Sequence, residues 1–210
     1  MIPGGMEYIR KEGVEMRKNI VLTGVGGQGT VLASKLIAAA VMKKGLQVMS
    51  AETIGMAQRG GSVFSHLRIG EGLESPMIAG KEADLILGFE PAETVRMLPY
   101  LKEGGQVVTA MRGVMPVTAA LAGGNYKAEE MIEYLRGRVK KLLVVDTDAA
   151  VQELGNPKVV NVVLLGAALA SGALGLTEEE LKDAIRDRLP EKLHSINFRA
   201  LEYMRNIVHA

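Results

Sequence analysis

The residues of this chain best suited to chemistry form a glycine-rich run, Gly24-Val-Gly-Gly-Gln-Gly29. Gly24, Gly26 and Gly29 satisfy G-x-G-x-x-G, with Gly27 as an extra glycine, after the apolar run Asn19–Thr23 and before the helical stretch Thr30–Lys44. Glycine tolerates positive φ and close approach, and unpaired N–H groups at a helix start attract an anion. The run lacks the Lys-Ser/Thr pair of a Walker-type loop. It suits either an anionic ligand or tight strand–helix packing.

Glu52 ends the next strand, where a nicotinamide-binding domain carries its ribose carboxylate; the alternative is a residue that merely opens a loop. A second distinctive stretch runs from Glu52 to Ser62 and contains Met56-Ala-Gln-Arg-Gly-Gly-Ser62. Gln58 and Arg59 supply donors for phosphate or carboxylate, and Gly60-Gly61 let a ligand approach the backbone; otherwise the stretch is a connector with a solvated Arg. Glu90, at another strand end, is one more carboxylate of interest, whereas Asp146 with Asp148 reads as a helix cap. His66, His194 and His209 lack metal-ligand spacing and read as surface or packed residues. There is no G-x-S-x-G nucleophile elbow.

Composition narrows the functions available. The 210 residues fit one domain with a small appendage, and 48% hydrophobic against 23% charged residues excludes bulk disorder. Lys plus Arg number 25 and Asp plus Glu 24, so a net charge of +1 gives no electrostatic case for nucleic acid or an anionic membrane. With no cysteine, the chain can form neither a disulfide nor a thiolate-held cluster by itself. The expected compartment is the cytoplasm. The longest apolar run, Val159–Leu176, is interrupted by Asn161, Ser171 and three glycines, which favours a buried helix over a membrane span.

The elements that must position these residues follow from periodicity. Met1–Glu15 has no period and reads as a flexible tail, leaving 16–210 as a single domain. Strands are expected at Asn19–Thr23, Leu46–Ala51, Asp84–Phe89, Gln106–Ala110 and Leu142–Asp146, and a half-exposed strand near a sheet edge at Ser62–Ile69. Helices are expected from Pro91 to Lys102, stopped by Gly104-Gly105, then at Glu129–Arg138, Thr177–Leu189 and about His194–Val208. Thr177 with Glu180 forms a capping box. The first strand, helix and second strand make a βαβ unit with parallel strands. The order as a whole predicts an α/β fold: a doubly wound, mostly parallel sheet with helices on both faces, Rossmann-like.

Taken in order, Gly24–Gly29, Met56–Ser62, Gly88-Phe-Glu-Pro91 and Asn161-Val-Val-Leu-Leu-Gly166 carry a resemblance. The chain resembles the gamma-type domain of the 2-oxoacid:ferredoxin oxidoreductase family, most closely its indolepyruvate ferredoxin oxidoreductase beta-subunit type, over about Met16–Val208. The resemblance implies a multisubunit enzyme that decarboxylates indolepyruvate or another arylpyruvate oxidatively, joins the acyl group to coenzyme A and reduces ferredoxin. It implies that thiamine diphosphate, magnesium and iron–sulfur clusters belong to a large alpha subunit, with this chain inactive alone. The lack of cysteine, and of Gly-Asp-Gly with a downstream Asn-Asn pair, agrees with that division. Gly24, Gly26, Gly27, Gly29, Gln58, Arg59 and Gly60 then either receive coenzyme A phosphates or shape the subunit interface. Methionines 56, 111 and 115 are interface candidates. A stand-alone NAD- or nucleotide-binding protein is the competing reading.

Overall fold

The computed structural model describes residues 16–53, 60–114 and 125–208. The chain opens with β1 (Lys18–Val25), α1 (Thr30–Lys43), β2 (Val48–Glu52) and β3 (Ser62–Ile69). Next come β4 (Ala83–Gly88), α2 (Pro91–Met97), β5 (Leu101–Ala110), α3 (Ala128–Arg136) and β6 (Lys141–Val145). Four helices close it: α4 (Thr147–Leu154), α5 (Val160–Ala170), α6 (Glu178–Arg188) and α7 (His194–Val208).

The strands form one mixed, mostly parallel sheet in the order β2-β3-β1-β4-β5-β6. β1, β4, β5 and β6 pair in parallel, and β3 is antiparallel to both of its neighbours. Alternation along β1 sends Ile20 and Leu22 to one face and Val21 to the other. On the first face α1, α5, α6 and α7 supply Leu36, Leu164, Ile185 and Leu201. On the second, α2 and α3 bring Met97 and Leu135 against Val21, Ile86 and Val107. Helices therefore cover both faces, as expected, and α5 is the buried helix that the Val159–Leu176 run implied, with all residues from Asn161 to Ala168 buried. Among the described residues no helix is long and apolar enough to cross a membrane.

Three local expectations change. β1 and β2 are parallel but not adjacent, because β3 inserts between them. β3 is thus an inner strand, and its Ser65 and His66 are buried. His66 Nδ1 accepts the Ile78 N–H at 2.9 Å, and burial holds its pKa below the ordinary value. His194 bonds the Leu189 carbonyl at 2.8 Å, and His209 lies outside the described residues. The third change is α2, which stops at Met97 and passes through a 3-10 turn, Leu98–Tyr100, into β5. Gly104 and Gly105 lie inside that strand, at a register shift against β4 that absorbs the glycines.

Candidate functional site

β1 and β4 are parallel neighbours, yet the helix after β1 lies on one face and the helix after β4 on the other. Their loops diverge, opening a crevice at the carboxyl ends of the two strands, where open α/β sheets take ligands. The glycine run occupies one lip and Phe89-Glu90 the other.

Side chains from distant parts of the sequence hold this crevice. Gln28 folds back over the end of β1, accepts the Val25 N–H at 2.7 Å and donates to the Phe89 carbonyl at 2.9 Å. Gly24 makes room for it: a Cβ there would lie 2.7 Å from Gln28 Oε1 and 2.8 Å from Phe89 Cβ. Gly29 caps α1 with φ of 81°, and its missing side chain leaves space for Asn161, whose Nδ2 would stand 2.7 Å from a Cβ. Asn161 is 4% exposed; its Nδ2 donates to the Gly29 carbonyl at 3.5 Å. The Gly26 N–H donates to the Gly61 carbonyl at 2.8 Å, and the Gly60 N–H returns to Gly26 at 3.5 Å. Ser62 donates to Glu93 at 2.6 Å. Gly26 is thus occupied in backbone pairing, while the positive φ angles fall on Gly27 and Gly29. Among the described residues no side chain caps α1, and no acidic residue sits in its first turn, so the donors there remain disposed toward an anion.

Glu90 is 1% exposed and works as a hub. It caps α2 by accepting the Glu93 N–H at 2.9 Å, and it also accepts from the Tyr126 hydroxyl and from the Val114 N–H at 3.4 Å. Burial, reinforced by Glu90, pushes the Tyr126 pKa well above that of an ordinary tyrosine. Asp146 caps α4 through the N–H groups of Asp148 and Ala149, at 3.1 and 3.0 Å, as its position in the sequence suggested. Both carboxylates therefore serve to orient backbone.

Two cavities open along this rim. One, of about 380 Å³, lies at Gly27–Gly29 with Leu32, Phe89 and Val151 as apolar wall and Asn161, Lys158 and Arg112 as polar lining. The other, of about 430 Å³, is lined by Tyr126, Lys127, Glu129 and Asp146. Arg112 and Asp148 border both. An apolar wall with cations at an uncapped helix start suits an anion carried on a less polar chain. Among the described residues, no group of three or more His, Asp or Glu side chains gathers as a metal site.

The structure brings together Gly24, Gly26, Gly27, Gly29 and Gly60, together with Phe89, Glu90 and Asn161. Gln58, Arg59, Met56 and Met115 lie outside the described residues. Glu52 does not join them. It pairs with Ser65, which faces Leu22 across β3, so it sits level with the middle of β1. It is also two strands away, about 10 Å. Glu52 is therefore not placed to take a ribose held at the glycine run. Gln28, Lys158 and Arg112 are the site residues that sequence reading passed over. Signals existed: Gln28 is the one polar side chain in the glycine run, and Arg112 follows β5 at its carboxyl end.

Known proteins resemble this chain in sequence and in fold. The model of the pyruvate ferredoxin/flavodoxin oxidoreductase family matches residues 19–207. The indolepyruvate oxidoreductase subunit IorB of Thermococcus kodakarensis is 38% identical over 188 residues, covering 88% of this chain and 92% of that one. The gamma subunit of a keto/oxoacid ferredoxin oxidoreductase from Geobacter sulfurreducens has the same fold, with a TM-score of 0.65 at 24% identity. That match covers 92% of this chain and all, 100%, of that one. A 2-oxoglutarate:ferredoxin oxidoreductase from Magnetococcus marinus, solved with 2-oxoglutarate, coenzyme A and succinyl-CoA bound, superposes with a TM-score of 0.68 at 19% identity. There 94% of this chain is covered by 32% of the larger one.

Proposed function

The chain belongs to the pyruvate ferredoxin/flavodoxin oxidoreductase family, and on that premise we propose that it is the subunit without cofactors of an indolepyruvate-type 2-oxoacid:ferredoxin oxidoreductase. The complex decarboxylates an arylpyruvate, transfers the acyl group to the coenzyme A thiol and passes the electrons to ferredoxin. Residues 16–210 act as its gamma-type domain, with 1–15 as a dispensable tail. A cluster needs thiolates and this chain has none, so the iron is assigned to a large alpha partner, and the resemblance assigns thiamine diphosphate and its magnesium to the same partner. The relatives' names support the indolepyruvate assignment.

The observation that carries this reading is the convergence, at one crevice, of parts of the four stretches that carry the resemblance: Gly24–Gly29, Met56–Ser62 through its described residues Gly60–Ser62, Gly88–Pro91, and Asn161–Gly166 through Asn161. Within it, the cavity at Gly27–Gly29 is the place for coenzyme A phosphates, with Arg59 as a further donor.

The test is to purify the chain with and without its large partner and to assay each for metal, thiamine diphosphate and arylpyruvate-dependent, coenzyme A-dependent reduction of ferredoxin. The heteromer should turn over, and the chain alone should not. Turnover by the isolated chain with NAD, or failure to associate with any thiamine-binding partner, overturns the assignment. An unchanged KM for coenzyme A in the Arg59→Ala heteromer removes Arg59 from the binding role.

A further inference from the structure

Arg112 and Asp148 form an ion pair at 2.9 Å that stands between the two cavities, each side chain 65% exposed. We propose that this pair is a latch on the ligand pocket: Asp148 holds Arg112 in the absence of ligand, and an incoming phosphate takes the guanidinium from it. The proposal rests on the reading of the Gly27–Gly29 cavity as the coenzyme A phosphate site, and it adds a specificity-determining residue and its intramolecular competitor.

Three features support the exchange. A solvent-exposed pair is weak and screened, so parting it costs little. Asp148 loses little when released, because it sits in the first turn of α4, where the helix N-terminus stabilises a carboxylate by itself. Arg112 gains, because its planar fork can meet two phosphate oxygens at once while α1 offers its uncapped N–H groups from the other side of the cavity. Nearby Asp146 is a weaker competitor, since its Oδ1 already accepts two backbone N–H groups. Lys158 lines the same cavity, providing a second positive charge for the same anion.

The latch makes a prediction that an ordinary structural ion pair does not: its two halves act in opposite directions. In the assembled heteromer, Arg112→Gln should raise the KM for coenzyme A about tenfold, the loss of one charge-assisted contact. Asp148→Asn should lower it about threefold, the release of a weak surface competitor. Both should leave kcat unchanged, and Asp148→Asn should have no effect in an Arg112→Gln background. If both single variants move KM in the same direction, or if Asp148→Asn still acts without Arg112, the latch is wrong. Lys158→Ala separates this from the underlying reading. A raised KM in Lys158→Ala with none in Arg112→Gln removes the latch and keeps the pocket; no change in either removes the pocket itself.

Discussion

The crevice rim and the flank formed by α1, α6 and α7 use their cations differently. On the flank, charge is used within the fold. Lys182 bonds Glu178 at 2.6 Å and Glu202 at 2.5 Å, Arg205 reaches Glu178 at 2.7 Å, and Lys43 and Lys44 tie α1 to Asp187 and Glu180 at 2.6 and 2.9 Å. On the rim, neutral amides hold the glycine lip, with Gln28 on Val25 and Phe89, Asn161 on Gly29 and Gly26 on Gly61, and the carboxylates Glu90 and Asp146 cap α2 and α4. Rim cations are left at the surface, Lys158 beside the cavity and Arg112 in an exposed pair. A fold that secures a binding edge with amides and helix-capping carboxylates keeps its cations available for an anion.

The contrast breaks most severely at Gly29. A valine there meets a backbone angle disfavoured for side chains and a Cβ contact with Asn161 Nδ2, so Gly29→Val should lose about 3 kcal/mol of stability in a denaturant melt. The loss should persist in high salt, because nothing ionic is involved. Gln28→Leu comes next. It keeps much of the side chain's bulk but leaves the Val25 N–H and the Phe89 carbonyl without their partner, which costs about 2 kcal/mol. A Gln28→Leu chain as stable as the parent in a urea titration would show that water replaces the brace.

These two residues also mark the limit of sequence reading. The parallel strands were legible as apolar runs, and the Thr177–Glu180 capping box and the Glu90-Pro91 helix start were legible because caps are local. β3 does lie near an edge, beside β2, but it is not half-exposed, because alternation along a strand does not tell what packs on its polar face and His66 is buried there. Gly104-Gly105 read as a helix stop because a bulged strand start and a helix end use the same residue. At the site the glycines were readable as a motif. Their reasons were not: the carbonyl that Gln28 reaches is 61 residues on, and the amide beside Gly29 is 132 residues on.

The flank should behave in the reverse way. Lys182 is 14% exposed amid three carboxylates, and its hydrogen bonds to Glu178 and Glu202 raise its pKa. Lys182→Met should cost about 1 kcal/mol at low salt, with the difference shrinking in 1 M salt as the pairs are screened. Acid acts on the same flank. Burial pushes Glu180 up, but the Thr177 N–H and the Lys44 ammonium outweigh it and hold the group below its ordinary value of 4.5. A depressed carboxylate stabilises the fold above its unfolded pKa and loses that contribution as pH falls through the folded value. Glu180→Gln should therefore flatten part of the stability loss below about pH 4.5, the ordinary carboxylate range. An unchanged acid slope would remove Glu180 from that role.

The smallest expected effect on stability is at Arg112, and it is the one that sharpens the comparison most. Among the described residues its only ion pair is with Asp148, both are 65% exposed, and Asp148 retains the N-terminus of α4 after the pair is lost. Arg112→Gln should therefore change folding stability by less than about 0.5 kcal/mol, within the range of ordinary surface substitutions. The flank offers the control. Arg205 also bonds a single carboxylate among the described residues, Glu178 at 2.7 Å, but that carboxylate belongs to the Lys182 network, and Arg205 is 52% exposed. Arg205→Gln should thus cost more than Arg112→Gln in parallel melts at low salt, since removing one member disturbs a shared partner. Equal costs would mean that the rim spends its charges on the fold just as the flank does. A larger cost for Arg112 would reverse the comparison, making the Arg112–Asp148 pair a structural clasp between β5 and α4 rather than a cation held in readiness.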